Sequence, residues 1–163
     1  MILATHIIFA SAVSSAARFS LPGAFLFGLV SHHLLDFIPH LDAGSSWSIK
    51  EMKAGTMPVR VRVLVFLDIL ASLGFLIWGF WGLKMSFPLL FWASLGAVLP
   101  DLVITGFPFF ITRLRNWPIL KRYEKFHYIF FRQSRPVSLQ GHWIFGNLGT
   151  LSVVGFSLWL LLK

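Results

Sequence analysis

The chain has 163 residues, of which 56% are hydrophobic and only 12% charged. A water-facing domain ordinarily carries about a quarter charged residues, so this composition excludes an ordinary soluble globule and makes lipid the natural solvent. There is no cysteine, which removes disulfides, thiolate metal sites and cysteine nucleophiles. The formal charge of +8 reads as cytoplasmic loops touching anionic lipid rather than as a nucleic-acid surface.

About 20 apolar residues cross a bilayer as a helix, and on that measure one all-α membrane domain over 1–163 is expected, with about five spans. The first, 2–17, is apolar and rich in small residues, with His6 near its start. No basic residue precedes it, so it reads as a retained helix rather than a cleaved signal. The second, 22–40, opens on Pro22 and ends near Pro39, both suited to helix termini. The third, 61–83, is apolar apart from Arg62 and Asp68, and the fourth, 88–105, contains Gly96-Ala97-Val98-Leu99-Pro100-Asp101. Pro100 lacks an N–H and loosens the last turns before Asp101. A basic, aromatic stretch, 107–135, reads as an amphipathic segment at the membrane surface, and 141–162 is the fifth span. Trp47, Trp117 and Trp143 suit interfacial anchoring.

With five spans the connections alternate sides. Eleven Lys and Arg residues then lie on the side of the N-terminus and three (Arg18, Lys84, Lys163) on the other. The bias predicts a cytoplasmic N-terminus and an outside C-terminus in the inner membrane. On that map His6, His32, Asp36, His40, Asp68, Asp101, His127 and His142 all fall within roughly 15 Å of the cytoplasmic face, at about 1.5 Å of rise per residue.

His32, Asp36 and His40 recur every four residues and share a helix face spanning about 80°. Two imidazoles and a carboxylate are good ligands for zinc, with manganese or iron as alternatives; a hydrogen-bonded polar seam is the plainer reading. Asp68 stands alone in an apolar helix, either as a buried or paired carboxylate or as a further ligand or base. Asp101 is either a helix-end carboxylate or a ligand or base. His127 and His142 are interfacial residues or further ligands. No nucleophile elbow, phosphate loop or His-Glu-x-x-His is present. For an enzyme, metal-activated water with an Asp to take its proton is therefore the expected chemistry.

Thr5-His6, the Gly28 to Asp36 run (Gly-Leu-Val-Ser-His-His-Leu-Leu-Asp) and the Gly96 to Asp101 run resemble motifs of the bacterial and archaeal membrane-bound metal-dependent hydrolases. The His-x3-Asp run followed by Pro39 and His40 is also distantly similar to the metal-binding helix of zinc-dependent phospholipase C. The resemblance covers about 35 residues and implies metal ligation by His6, His32, Asp36 and Asp101. Two features depart from the family pattern: the Ser-His block precedes the Pro-Asp block, and the His-Arg-Gly stretch is missing, leaving His127 and His142 as its only substitutes. Three functions follow as expectations. The first is a metal-dependent hydrolase at the cytoplasmic face acting on a lipid phosphoester. The others are a membrane scaffold with a structural metal, and a metal or proton transporter.

Overall fold

The computed structural model describes residues 3–38, 59–106, 117–133 and 139–163. Among them every regular element is helical: α1 (Leu3–Ala16), α2 (Leu21–Asp36), α3 (Val59–Trp81), α4 (Phe87–Asp101), α5 (Pro118–Gln133) and α6 (Leu139–Leu162). A five-residue π-helical turn, Leu102–Gly106, continues α4.

The starts and stops follow local chemistry. Ser20 caps α2, its Oγ accepting from the Gly23 N–H at 3.3 Å, and Pro22 occupies the first turn. Pro88 occupies the same place in α4. Arg18 and Lys84 follow α1 and α3 with φ of 52° and 55°, the left-handed conformation that ends a helix and turns the chain back. Pro100 lies inside α4 and cannot donate to the carbonyl one turn behind it. The ladder widens to the π turn directly afterwards.

The hydrophobic pattern separates the elements into two kinds. α5 is strongly amphipathic, whereas α1, α2 and α6 are apolar around their whole circumference with no dominant face. All-round apolar helices belong to a buried core or to lipid. Among the described residues, two helical stretches are long and apolar enough to cross a membrane, Arg62–Trp81 and Phe87–Ile104. The apolar helical stretches Leu3–Ala16 and Gly146–Leu162 are shorter. Large apolar side chains on α3 and α6, including Val63, Leu67, Ile77, Leu148 and Leu151, are exposed on the outside of the bundle.

α1 is the central helix and packs against α2, α3, α4 and α6. Its Ala4, Ala10, Ser11, Ala12 and Ser14 are buried, and these small side chains let four neighbours approach one helix. Ala10 meets Ala24, Ala93 and Ala97 where α1, α2 and α4 join. The most extensive contact joins α2 to α4, and there backbone touches backbone. A Cβ at Gly28 would lie 2.5 Å from the Ala93 carbonyl oxygen and 2.7 Å from the Ala97 nitrogen. A Cβ at Gly96 would collide with the Phe25 carbonyl. Contacts advance together along the two helices, from Phe25 beside Gly96 to His32 beside Asp101, so α2 and α4 run in the same direction. Their C-terminal ends meet the N-terminus of α1 at one end of the bundle.

Candidate metal centre

Four helices bring five donor groups together at that end. His6 comes from the first turns of α1, His32 and Asp36 from the last turns of α2, Asp101 from the end of α4 and His127 from the buried face of α5. His6 Nε2 lies 3.4 Å from Asp36 Oδ1. His32 Nε2 lies 3.3 Å from Asp36 Oδ2 and 3.6 Å from Asp101 Oδ1. His127 Nε2 lies 3.7 Å and 3.9 Å from the same two oxygens. His6, His32 and Asp36 form one group that could hold a metal ion, and His32, Asp101 and His127 a second.

The separations carry chemical information. A tetrahedral ion with ligands at about 2.0–2.1 Å sets its donor atoms about 3.3–3.4 Å apart. The four distances joining His32 and His127 to Asp36 and Asp101 are at or slightly above that value, as expected of a ligand cage before it closes on an ion. The tautomer of His32 supports the same use. Its Nδ1 lies 2.8 Å from the carbonyl oxygen of Ala97, an acceptor only, so Nδ1 carries the proton. In the neutral ring Nε2 then presents a lone pair to two carboxylate oxygens, an arrangement that a proton or a cation between them must hold together.

Burial grades across the site. The side chains of His6 and His32 are fully buried and that of Asp36 is 3% exposed, whereas Asp101 is 41% exposed. The closed side therefore faces the bundle and the open side lies at Asp101. His6 stacks on His32 with ring centroids 4.2 Å apart and 22° between planes. As they stand, two near-parallel rings at that distance do not aim their in-plane lone pairs at one point. His6 therefore has a separate part, beside the other oxygen of Asp36, and its buried Nδ1 has no hydrogen-bond partner.

α5 is fixed over the site by a second row of side chains. The Tyr123 hydroxyl is hydrogen-bonded to His33 Nε2 at 3.3 Å, and the His33 ring meets those of Phe126 and His127 edge-on. Burial, reinforced by the Asp101 carboxylate, pushes the Tyr123 phenol up, so it remains a donor. Burial lowers the His127 pKa, opposed by the Asp101 and Asp36 carboxylates, so the ring is held toward the neutral, ligand-competent form.

The eight residues singled out in sequence divide as follows. His6, His32, Asp36, Asp101 and His127 are brought together. Asp68 sits at the same end but serves a different purpose. Its two oxygens accept from the backbone N–H groups of Leu3 and Ala4 at 2.8 and 2.9 Å. It caps α1 across a helix–helix contact and is in neither donor group. His40 and the side chain of His142 lie outside the described residues. Sequence reasoning gave no role to Tyr123, although it lies four residues before His127 and so on the same face of α5. Nor did it assign one to the carbonyl of Ala97, which no side-chain pattern reveals.

No family model matches the chain, and no curated protein or solved structure matches it.

Proposed function

We propose that this chain is a multi-pass membrane protein of the inner membrane that binds a divalent ion, zinc by its ligand chemistry, and hydrolyses a phosphoester in a lipid head group at the cytoplasmic face. The observation that carries the reading is the convergence of three imidazoles and two carboxylates from four helices, with the only exposed member, Asp101, on one side. Neutral imidazole and carboxylate suit zinc, with manganese or iron as alternatives. A structural site closes around its ion, whereas a catalytic site keeps an open position; the exposure of Asp101 favours the catalytic use.

In this reading His32 and His127, through Nε2, and Asp36, through Oδ2, would hold the ion, leaving a position open toward Asp101 at the mouth. His6 braces the outer oxygen of Asp36 and keeps that carboxylate turned toward the site. A bound divalent ion supplies Lewis acidity and lowers the pKa of water from 15.7 toward about 7. Asp101, the carboxylate reached by solvent, is the group able to take the proton. α5, whose His127 lies at the site, carries the exposed Lys121, Arg122 and Lys125, and their positive charge attracts a phosphate.

The membrane setting is supported by the all-round apolar helices, the two helices long enough to cross, and the large apolar side chains left exposed on α3 and α6. α1 is short but surrounded on four sides, so it needs no lipid-facing length of its own. The eleven-to-three division of basic residues supports a cytoplasmic site.

Metal content of the detergent-purified protein, measured by mass spectrometry beside a His32→Ala/Asp36→Ala variant, is the test. Near-stoichiometric zinc in the parent and none in the variant supports the centre. Release of phosphate or of a phosphorylated head group from lipid vesicles, lost in the same variant, supports the reaction. Absence of metal after reconstitution rejects both.

A further inference from the structure

The apolar groove beside the metal centre shows how a lipid reaches it. α3 and α4 form a hairpin, yet they touch little along their length, because α1 packs against both and holds them apart. The space between them encloses about 430 Å³, within the range of about 300–1,000 Å³ typical of small-molecule sites. Ile77 of α3, Phe91, Leu95 and Val98 of α4, and Ile7 of α1 line it, and Leu102 closes its near end.

Its position matters more than its volume. Ile7 follows His6 in the chain and Leu102 follows Asp101, so the near end of the groove adjoins the open side of the donor cluster. From there the lining continues to Phe87 at the far end of α4, about 22 Å away at 1.5 Å per residue. Half the thickness of a bilayer's hydrocarbon core is about 15 Å, so the groove is long enough to take one lipid chain. Ser94 supplies the hydroxyl in this lining, and it is buried without a hydrogen-bond partner. An occupant is thus apolar along its length, with its polar end at Asp101, next to α5, the helix that carries the exposed Lys121, Arg122 and Lys125.

We infer that the groove between α3 and α4 is an acyl-chain subsite that takes one hydrocarbon chain of an anionic phospholipid and sets its head group at Asp101. The assignment rests on the lipid-phosphoester reading and specifies the substrate as a membrane lipid bound through its chain.

The test is photolabelling with a phosphatidylglycerol carrying a diazirine in one acyl chain, in vesicles, using chelator-treated protein so that no metal is needed. Labelled peptides are identified by mass spectrometry. The expected result is labelling of the Phe91–Leu102 stretch several-fold above that of exposed residues on other faces, such as Leu67 and Leu151. Ile77→Trp and Leu95→Trp, which fill the groove, are expected to reduce that labelling several-fold, leave Leu151 labelling unchanged and retain metal content. Ile77 is 62% exposed, so its variant keeps the core intact. Even labelling of all exposed faces, or labelling indifferent to both tryptophans, would overturn the subsite in favour of ordinary annular lipid. Equal labelling by a phosphatidylcholine with the same chain would overturn the anionic head group. Because metal content is read on each preparation before chelator treatment, loss of the metal reading and loss of the subsite are separate results.

Discussion

His32 shows how much of the centre depends on one ring. Its Nδ1–H is spent on the carbonyl of Ala97 at 2.8 Å, and this directs Nε2 at two carboxylates contributed by different helices. His6, stacked on it, meets the other oxygen of Asp36. These two histidines are expected to behave differently on substitution. His32→Ala removes a ligand and abolishes metal binding, whereas His6→Ala removes a brace and weakens affinity by about 10–100-fold, as read by competition with a chromogenic chelator. A fall from two ions per chain to one in His6→Ala would instead place a second ion between His6 and Asp36. Asp68 separates in the opposite direction. Asp68→Ala leaves two α1 N–H groups without their acceptor, at a cost of about 0.5–2 kcal/mol for the lost cap. It is expected to lower the thermal midpoint while leaving metal stoichiometry unchanged. At this scale the His-x3-Asp spacing was readable because both residues lie on one helix. The partner of Asp68 was not, because a backbone N–H leaves no mark in a side-chain pattern.

Between α2 and α4 the close approach at Gly28 and Gly96 sets the separation that His32 needs to reach Ala97. Gly28→Ala places a methyl 2.5 Å from a carbonyl oxygen, and overpacking of this kind costs about 1–3 kcal/mol. The expected outcome is a lowered thermal midpoint together with weakened metal binding, since the helices must separate at the site that positions the ligand. α5 is held more lightly: its contacts are with the end of α2 and the π turn. Tyr123→Phe deletes the hydroxyl that bonds His33, about 0.5–1.5 kcal/mol. It is expected to loosen His127 and reduce metal affinity, with little change in thermal midpoint because the bundle does not depend on α5. Titration calorimetry and a melting curve on the same preparation check both statements. The helical extents of α1 to α4 and α6 follow closely the apolar segments marked out in sequence. Pro22 and Pro88 fall at helix starts, and Pro100 precedes the π turn.

Among the described residues the helices form a bundle with its buried ionisable groups at one end and large apolar side chains exposed on α3 and α6. The absence of cysteine offers a clean test of orientation. If the chain crosses the membrane five times as proposed, Lys125→Cys reacts with a membrane-impermeant maleimide only from the cytoplasmic side and Lys163→Cys only from the opposite side. Labelling of both from the same side would reject the five-crossing arrangement. Metal binding is also expected to stabilise the fold by mass action, about 2.7 kcal/mol at a free concentration a hundred times the dissociation constant, read as a midpoint that falls when a chelator is added.

The sequence by itself determined the helical segments, the apolar character of their surfaces and the set of residues able to bind a metal, because these depend on composition and on periodicity within one helix. Tertiary structure decided which of those residues meet. His6, Asp36, Asp101 and His127 come from four helices, and the packing of α1 among its neighbours and the glycine contact of α2 with α4 bring them to one end of the bundle. The same packing turned Asp68 into a helix cap and left a groove between α3 and α4. No local pattern encodes these results, since each depends on where a different helix lies.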